Sequence, residues 1–144
     1  MMPAMTTAHI ADLIGLANAG VPNEICGFLA GRAGVVEAIV PIVNELASPI
    51  AFRTEPRSTL AAQRTMRDHN WDLLAVYHSH PIGDAVPSAR DLRDNTYGES
   101  IPWVIVSPTG EIRAWRMLPY GFFELTIGES AVTQSPTDVW TPNS

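Results

Sequence analysis

Two of the four histidines in this 144-residue chain lie two positions apart, in the stretch YHSHPIGDAVPSARD (77–91). Residues two apart on a β-strand point to the same face, so His78 and His80 are predicted to point together and Ser79 away from them. Neutral imidazoles are the commonest protein ligands of zinc. Most His-x-His pairs bind no metal, however, so a metal site requires a third ligand from elsewhere in the chain.

Asp91 is the candidate for this third ligand, because the turn GDAVP can fold the helix that carries it back over the histidines. Two histidines and one carboxylate leave a fourth position open, as in catalytic zinc sites. Water bound there has a pKa near 7 and needs a general base. Glu24 begins an apolar strand, an unusual place for a charge, and is the candidate base.

Each of these features also has a purely structural interpretation. Ser88 and Asp91 form a Ser-x-x-acid pattern, which is typical of a helix capping box. Glu24 alone could cap the preceding turn or lie at the edge of a sheet. The residues themselves therefore leave both interpretations open for each feature taken singly.

In combination, these residues resemble the signature of the JAMM (MPN+) zinc metalloproteases, HSHP-x6-S-x2-D preceded at a distance by a glutamate in EICGFLAG. The positions of that signature are filled by Glu24, His78, Ser79, His80, Pro81, Ser88 and Asp91. The resemblance extends over about 8–127 and is greatest to small bacterial and archaeal members, from the loop at 41–56 through the hairpin WVIVS…IRAWRM.

This resemblance implies a cytidine-deaminase-like α/β fold, the MPN fold, with one mixed central β-sheet flanked by helices. It implies a zinc hydrolase of amide or isopeptide bonds in which His78, His80 and Asp91 hold one catalytic zinc ion. Glu24 would carry the proton of the attacking water to the leaving amine, and Ser88 would donate a hydrogen bond to the oxyanion. The HxE and PCxxC motifs of the deaminases are absent from the sequence, which argues against base deamination.

The resemblance also implies a class of substrate. The connection between Asp91 and Trp103 is short, unlike the insertions with which eukaryotic members grip ubiquitin. Prokaryotic members act after the C-terminal Gly-Gly of ubiquitin-like or sulfur-carrier β-grasp proteins, so a deubiquitinase-like or desampylase-like (iso)peptidase is expected. Release of cysteine from a sulfur carrier during cysteine biosynthesis is the alternative reaction.

Two non-enzymatic alternatives are an MPN scaffold and a RadC-like protein. Scaffold members lack the metal ligands, whereas this chain keeps them all. The RadC motif HxHPxGDPxPSxxD is close to the segment IGDAVPS, but the sequence contains no helix-hairpin-helix region.

The residues of the candidate site must be positioned by the surrounding elements, which the sequence pattern predicts as helices, strands and hairpins. The predicted helices cover 6–19, 56–69 and 88–98, and the predicted strands 25–30, 35–42, 73–78, 103–107, 112–118 and 122–127. The GRAG segment is a hairpin signal between the first two strands. This order of elements indicates a mixed α/β domain around one sheet.

Length and composition predict one domain at 1–128 and a poorly ordered tail at 129–144, where Ser, Thr, Pro and Asn accumulate. The net charge is −6 and all nine basic residues are arginines, without the basic stripe of a nucleic-acid binder. No apolar run is long enough to span a membrane, and the single cysteine fits a reducing compartment, so a cytoplasmic location is expected. The sequence leaves open whether the chain forms homo-oligomers.

Overall fold

The computed structural model describes residues 2–128, and the predicted tail at 129–144 lies outside them. The elements of the described part are α1 (Thr7–Gly20), β1 (Cys26–Arg32), β2 (Val35–Ile42), α2 (Pro56–Asp68), β3 (Asp72–Ser79), α3 (Ala89–Arg93), β4 (Trp103–Val106), β5 (Ile112–Leu118) and β6 (Gly121–Leu125). None of the helices within 2–128 is long and apolar enough to cross a membrane.

The six strands form one sheet in the order β2-β1-β3-β4-β5-β6. Every neighbouring pair is antiparallel except β3 and β4, which run parallel. A parallel pair needs a crossover connection, and here the crossover is the segment 80–102 that contains α3. The predicted mixed sheet is confirmed, and the crossover carries His80, Ser88 and Asp91 across the end of β3.

The two longer helices cover opposite faces of this sheet. Leu13 of α1 packs in one apolar cluster with Ala75 and Tyr77 of β3. Met66 of α2 packs in a second cluster with Val76 of the same strand. Because side chains alternate along a strand, these two clusters lie on the two sides of the sheet. The architecture is therefore a helix–sheet–helix sandwich with β3 and β4 at the centre of the sheet.

The hairpin predicted at GRAG is confirmed. Ala33 and Gly34 both have positive φ angles, 53° and 74°. Two central residues with positive φ define the type I′ turn, whose twist matches that of the strands it joins. The turn therefore sets the pairing of Arg32 with Val35 at the end of the hairpin. An irregularity between Ala30 and Gly31 then shifts the register by one residue, so that Cys26, the first residue of β1, lies opposite Ile42.

The prediction for the third helix was wrong in length, since α3 ends at Arg93 instead of near 97–98. The Asn95 side chain accepts a hydrogen bond from the Tyr97 backbone N–H at 3.0 Å, which closes a turn in place of a further helical turn. The Tyr97 ring then packs edge-on against Phe28 and Trp103. The other predicted elements agree with the structure to within about two residues at each end.

A close contact between β1 and β3 gives a test of this packing. A Cβ atom on Gly27 would lie within 2.5 Å of two ring carbons of Tyr77, which is fully buried and has no room to move. We expect Gly27→Ala to lower the free energy of unfolding by about 1–3 kcal/mol, measured by urea denaturation. Gly15→Ala is the control, because that exposed position on α1 has no atom within 4 Å of the new Cβ. It should raise stability by up to about 1 kcal/mol. A Gly27→Ala variant as stable as the wild type would contradict the packing.

Candidate metal centre

The last residues of β3 present their polar side chains on the two faces of the sheet. The ring of His78 is fully buried, stacked on Phe52 at 4.7 Å between centroids and edge-on to Trp103 at 5.3 Å. The hydroxyl of Ser79 accepts a hydrogen bond from the Ile25 backbone N–H at 2.8 Å. Ser79 therefore ties β3 to the segment that carries Glu24.

Three ligand-type atoms meet at this end of the sheet. Nε2 of His78 lies 3.1 Å from Nε2 of His80, and the Oδ2 atom of Asp91 lies 3.2 and 3.1 Å from those two nitrogens. The histidines and the aspartate are separated in sequence by the turn and the start of α3. The structure thus brings together all three residues that the sequence nominated as ligands.

Ser88 sets the position of Asp91 through a capping box at the start of α3. The Ser88 hydroxyl oxygen accepts a hydrogen bond from the Asp91 backbone N–H at 3.1 Å, and Asp91 Oδ2 accepts one from the Ser88 backbone N–H at 2.9 Å. The structural interpretation of Ser-x-x-Asp is therefore correct, and the cap also aims the Asp91 carboxylate at the histidines. Within the described residues, the exposed Ser88 O–H donates to no protein acceptor.

This donor set fits a zinc ion in chemistry and in spacing. Tetrahedral zinc bonded at about 2.0–2.1 Å keeps neighbouring donor atoms about 3.3 Å apart, close to the separations of 3.1 and 3.2 Å here. The Nδ1–H of His80 donates to the backbone carbonyl of Asp84 at 2.8 Å. That contact leaves the Nε2 lone pair of His80 free to bind a metal, as is usual for histidine ligands.

The protonation states of the three residues also suit a metal. Burial alone would raise the pKa of Asp91, but hydrogen bonds from His78, His80 and the Ser88 backbone hold it well below its usual range. Burial lowers the pKa of His78, which favours the neutral imidazole. Burial opposes the charge on His80, but its contacts with Asp91 and the Asp84 carbonyl raise its pKa overall. A bound cation would compete for the same lone pair of His80.

Glu24 lies beside these three residues, and Glu24, His78 and His80 form a group of side chains that could themselves hold a metal ion. Glu24 is 4% exposed, and one of its carboxylate oxygens falls within 4.8 Å of ligand nitrogens of both histidines. Its Oε1 atom has no hydrogen-bond partner among residues 2–128. Burial raises the pKa of Glu24 to about 8, and Asp91 adds to the rise while His80 and Arg90 oppose it. A carboxyl group with such a pKa can take up and release a proton near neutral pH.

Cys26 lies next to this site but does not take part in it. It pairs with His78 across β1 and β3, is buried, and its thiol contacts the Ile42 carbonyl oxygen at 3.5 Å. Burial and the neighbouring Glu24 raise its pKa to about 12. The group therefore stays a neutral thiol, which is a poor ligand and a poor nucleophile.

A cavity of about 470 Å³ opens next to Asp91. One wall is formed by the loop between β2 and α2, and the other by α3 and the loop that follows it. Its lining includes the aromatic residues Phe52, Tyr97 and Trp103 and the charged residues Arg53, Arg90 and Asp94. The sequence does not predict that Phe52 or Tyr97 belongs to the site, because an isolated aromatic residue in a loop carries no spacing signal.

The sequence matches the family model Prok-JAB, described as prokaryotic homologs of the JAB domain, over residues 6–118. The "Probable TtuB-protein conjugate cleaving protease" of Thermus thermophilus is 39% identical over 69% of this chain and 65% of its own length. The "Desampylase" of Pyrococcus furiosus is 35% identical over 64% and 65%. The "CysO-cysteine peptidase" of Mycobacterium tuberculosis is 31% identical over 82% and 77%. The match thus spans about 65% of the length of the first two relatives.

Solved structures agree with the match to the JAB-domain family. A solution structure of a Desulfitobacterium hafniense protein superposes with a TM-score of 0.79 at 31% identity, over 90% of this chain and 93% of that one. A JAB1/MPN domain protein from Archaeoglobus fulgidus superposes with a TM-score of 0.61 at 15% identity, over 90% and 98%. The second likeness shows the fold alone, and that fold is the predicted one.

The triangle of ligand atoms predicts how zinc binding responds to mutation. We expect the wild type to bind about one zinc ion per chain, and His80→Ala to weaken binding at least 100-fold, roughly, because two ligands cannot hold the ion as three do. Zinc content by mass spectrometry and chelator competition measure this. His69→Ala is the matched control, since His69 is exposed and stacks on Trp71 away from the site. Unchanged zinc affinity in His80→Ala would contradict the assignment.

The raised pKa of Glu24 predicts a dependence of stability on pH in the metal-free protein. The pKa in the fold is about 8 and the ordinary value is 4.5, so the unfolded chain releases this proton first. The stabilisation is therefore present below about pH 4.5 and is lost as the pH rises toward 8, by up to about 1.4 kcal/mol per pH unit.

Glu24→Gln carries no such proton and isolates this effect. In urea unfolding at pH 5 and pH 8, the stability of the variant relative to the wild type should increase with pH. Titrating groups that Glu24 does not influence are common to both proteins and cancel in the comparison. His80 and Cys26, whose pKa values Glu24 raises, are the exceptions. A difference that stays constant between the two pH values would show that Glu24 is ionised throughout.

Proposed function

The chain belongs to the family of prokaryotic homologs of the JAB domain, and from this premise we propose that it is a zinc metallopeptidase. It cleaves the bond that follows the C-terminal Gly-Gly of its substrate, a ubiquitin-like or sulfur-carrier β-grasp protein. The observation that carries the proposal is the contact of His78, His80 and Asp91 beside a buried carboxyl group, Glu24, that has an oxygen without a partner in the described chain.

His78, His80 and Asp91 would hold the zinc ion. When bound, zinc supplies a Lewis acid that polarises the scissile carbonyl and makes the attacking water more acidic. A nearby cation would also lower the pKa of Glu24 from about 8 toward neutrality, so that this carboxylate is ionised and ready to accept a proton.

Glu24 acts as the proton carrier of the reaction. It takes a proton from the attacking water as the water oxygen bonds to the carbonyl carbon, and then gives that proton to the amine nitrogen as the C–N bond breaks. The unpartnered Oε1 atom of Glu24 is free to make that contact. Proton transfer by a positioned side chain typically contributes about 10²–10⁴-fold in rate.

Ser88 has two roles in this proposal. Its oxygen lone pair caps α3 by accepting the Asp91 N–H, and its O–H is left to donate to the oxyanion that develops on the substrate carbonyl. Loss of one such donor typically costs about 10²–10³ in rate. One side chain thus positions a ligand and stabilises the charge of the reacting group.

The substrate class is supported by the relatives and by the shape of the site. The names of two relatives refer to cleavage of protein conjugates or to desampylation. The cavity beside Asp91 has room for a few small residues of an extended tail but not for a folded domain. Most binding energy would then come from the folded body of the substrate. The net charge of −6 and the lack of a basic stripe disfavour a nucleic-acid partner. We propose a cytoplasmic location, where the single cysteine stays reduced.

Release of cysteine from a sulfur-carrier protein is the second candidate. The relative named CysO-cysteine peptidase matches 82% of this chain, a larger share than the 69% and 64% of the other two relatives. Both reactions break the amide after the same Gly-Gly tail and differ in the leaving amine. The scaffold alternative is disfavoured by the complete set of ligand contacts.

The proposal is tested with three substrates: a folded β-grasp fusion ending in Gly-Gly before the scissile bond, the same fusion with Ala-Ala, and a short Gly-Gly peptide. We expect the first to be cut at least about tenfold faster than either of the others, because only glycines pass close to the ion and only the folded body contributes remote binding energy.

A fourth substrate, the carrier with one added cysteine, separates the two candidate reactions. Equal rates for all of these would contradict the assigned substrate class.

A further inference from the structure

The loop at 43–55, which joins β2 to α2, contacts both the proposed base and one of the ligands. The Ser48 carbonyl oxygen accepts a hydrogen bond from the Glu24 backbone N–H at 2.8 Å. Four residues later, the Phe52 ring lies on the His78 ring at 4.7 Å, with 25° between the planes. The position of this loop therefore affects two of the residues on which the chemistry depends.

One side chain, Asn44, holds the loop in this position. Its Nδ2 atom donates to the Glu24 carbonyl oxygen at 3.1 Å and to the Ala51 carbonyl oxygen at 3.0 Å. Its Oδ1 atom accepts from the backbone N–H groups of Leu46 at 3.1 Å and Arg53 at 3.0 Å. An amide side chain offers two N–H donors and two acceptor lone pairs, so the full capacity of Asn44 is used.

Asn44 makes more side-chain hydrogen bonds than an asparagine needs to close a turn. The bond to Leu46, two residues on, is the ordinary contact that closes an asparagine turn. The bonds to Ala51 and Arg53 bracket Phe52 and fix the backbone from which its ring reaches His78. The bond to Glu24 crosses 20 residues of sequence and joins the loop to the backbone of the base.

We propose that Asn44 is a positioning residue for the reaction, and this inference rests on the proposed function because Glu24 is the base in it. The amide of Asn44 fixes the position of the Glu24 peptide unit relative to the loop that carries Phe52. The distance and orientation between the carboxyl group of the base and the imidazole of His78 are thereby kept constant. A displacement of about 1 Å in such a frame can cost about 10²-fold in rate.

Asn44→Asp tests this role with a side chain of nearly the same shape. The aspartate can still accept from Leu46 and Arg53, but it places an oxygen against the Glu24 and Ala51 carbonyls where Asn44 donated. We expect kcat on the folded Gly-Gly fusion to fall at least tenfold, with KM changing less than about threefold. Zinc content should match the wild type, because the three proposed ligands are unchanged. Asn18→Asp is the control, since Asn18 makes one exposed bond to Ile14 on α1.

A double-mutant cycle shows whether Asn44 acts through Glu24. In the Glu24→Gln background, under single-turnover conditions, Asn44→Asp should change the residual rate less than about twofold, since the base is already lost. If Asn44→Asp proves too unstable, Asn44→Ala is measured in the same way. A wild-type kcat in either variant, or an undiminished effect in the Glu24→Gln background, would overturn the role. If the wild type cleaves none of the fusions, the proposed function fails and this inference fails with it.

Discussion

Two imidazole nitrogens and one carboxylate oxygen meet at 3.1–3.2 Å in a largely buried site, and the surrounding elements must hold these three atoms together. Buried polar atoms are costly unless they are paired. The fold supplies this geometry from separate elements. β3 ends at the histidines, and the crossover to a parallel neighbour carries α3 back above them. The Ser88 cap then turns Asp91 toward the histidines.

The charges around this site form a consistent set. Asp91 is held ionised by its hydrogen bonds, His78 is kept neutral by burial, and Glu24 has a pKa raised to about 8. A metal ligand must offer lone pairs, and a base must be able to change its protonation state near neutral pH. The difference between Asp91 and Glu24, two carboxyl groups in one site, arises from their partners: Asp91 has several hydrogen bonds and Glu24 has an unpaired oxygen.

The fold class, the family and the elements were largely predictable because short-range patterns encode them. Spacing along β3 predicts that His78 and His80 point together, and Ser-x-x-Asp predicts a helix cap; the structure contains both, with Asp91 beside the histidines. The contacts of Phe52 and Asn44 with the site were not predictable, since His78 and Glu24 lie 20 or more residues away from them and are reached through the path of the 43–55 loop. The early end of α3 was not predictable for a similar reason. The Tyr97 ring packs against Phe28 and Trp103, and this tertiary contact overrides the helical pattern of the sequence.

We propose that Glu24 carries the proton in a site whose metal is held by other residues. The decisive experiment is turnover of the folded Gly-Gly fusion by zinc-loaded Glu24→Gln, measured together with its zinc content. The amide is close in size to the carboxyl group but neither accepts nor releases a proton near neutral pH. We expect about one zinc per chain and a turnover reduced at least about 100-fold. Full turnover with zinc retained, or loss of zinc along with turnover, would contradict it.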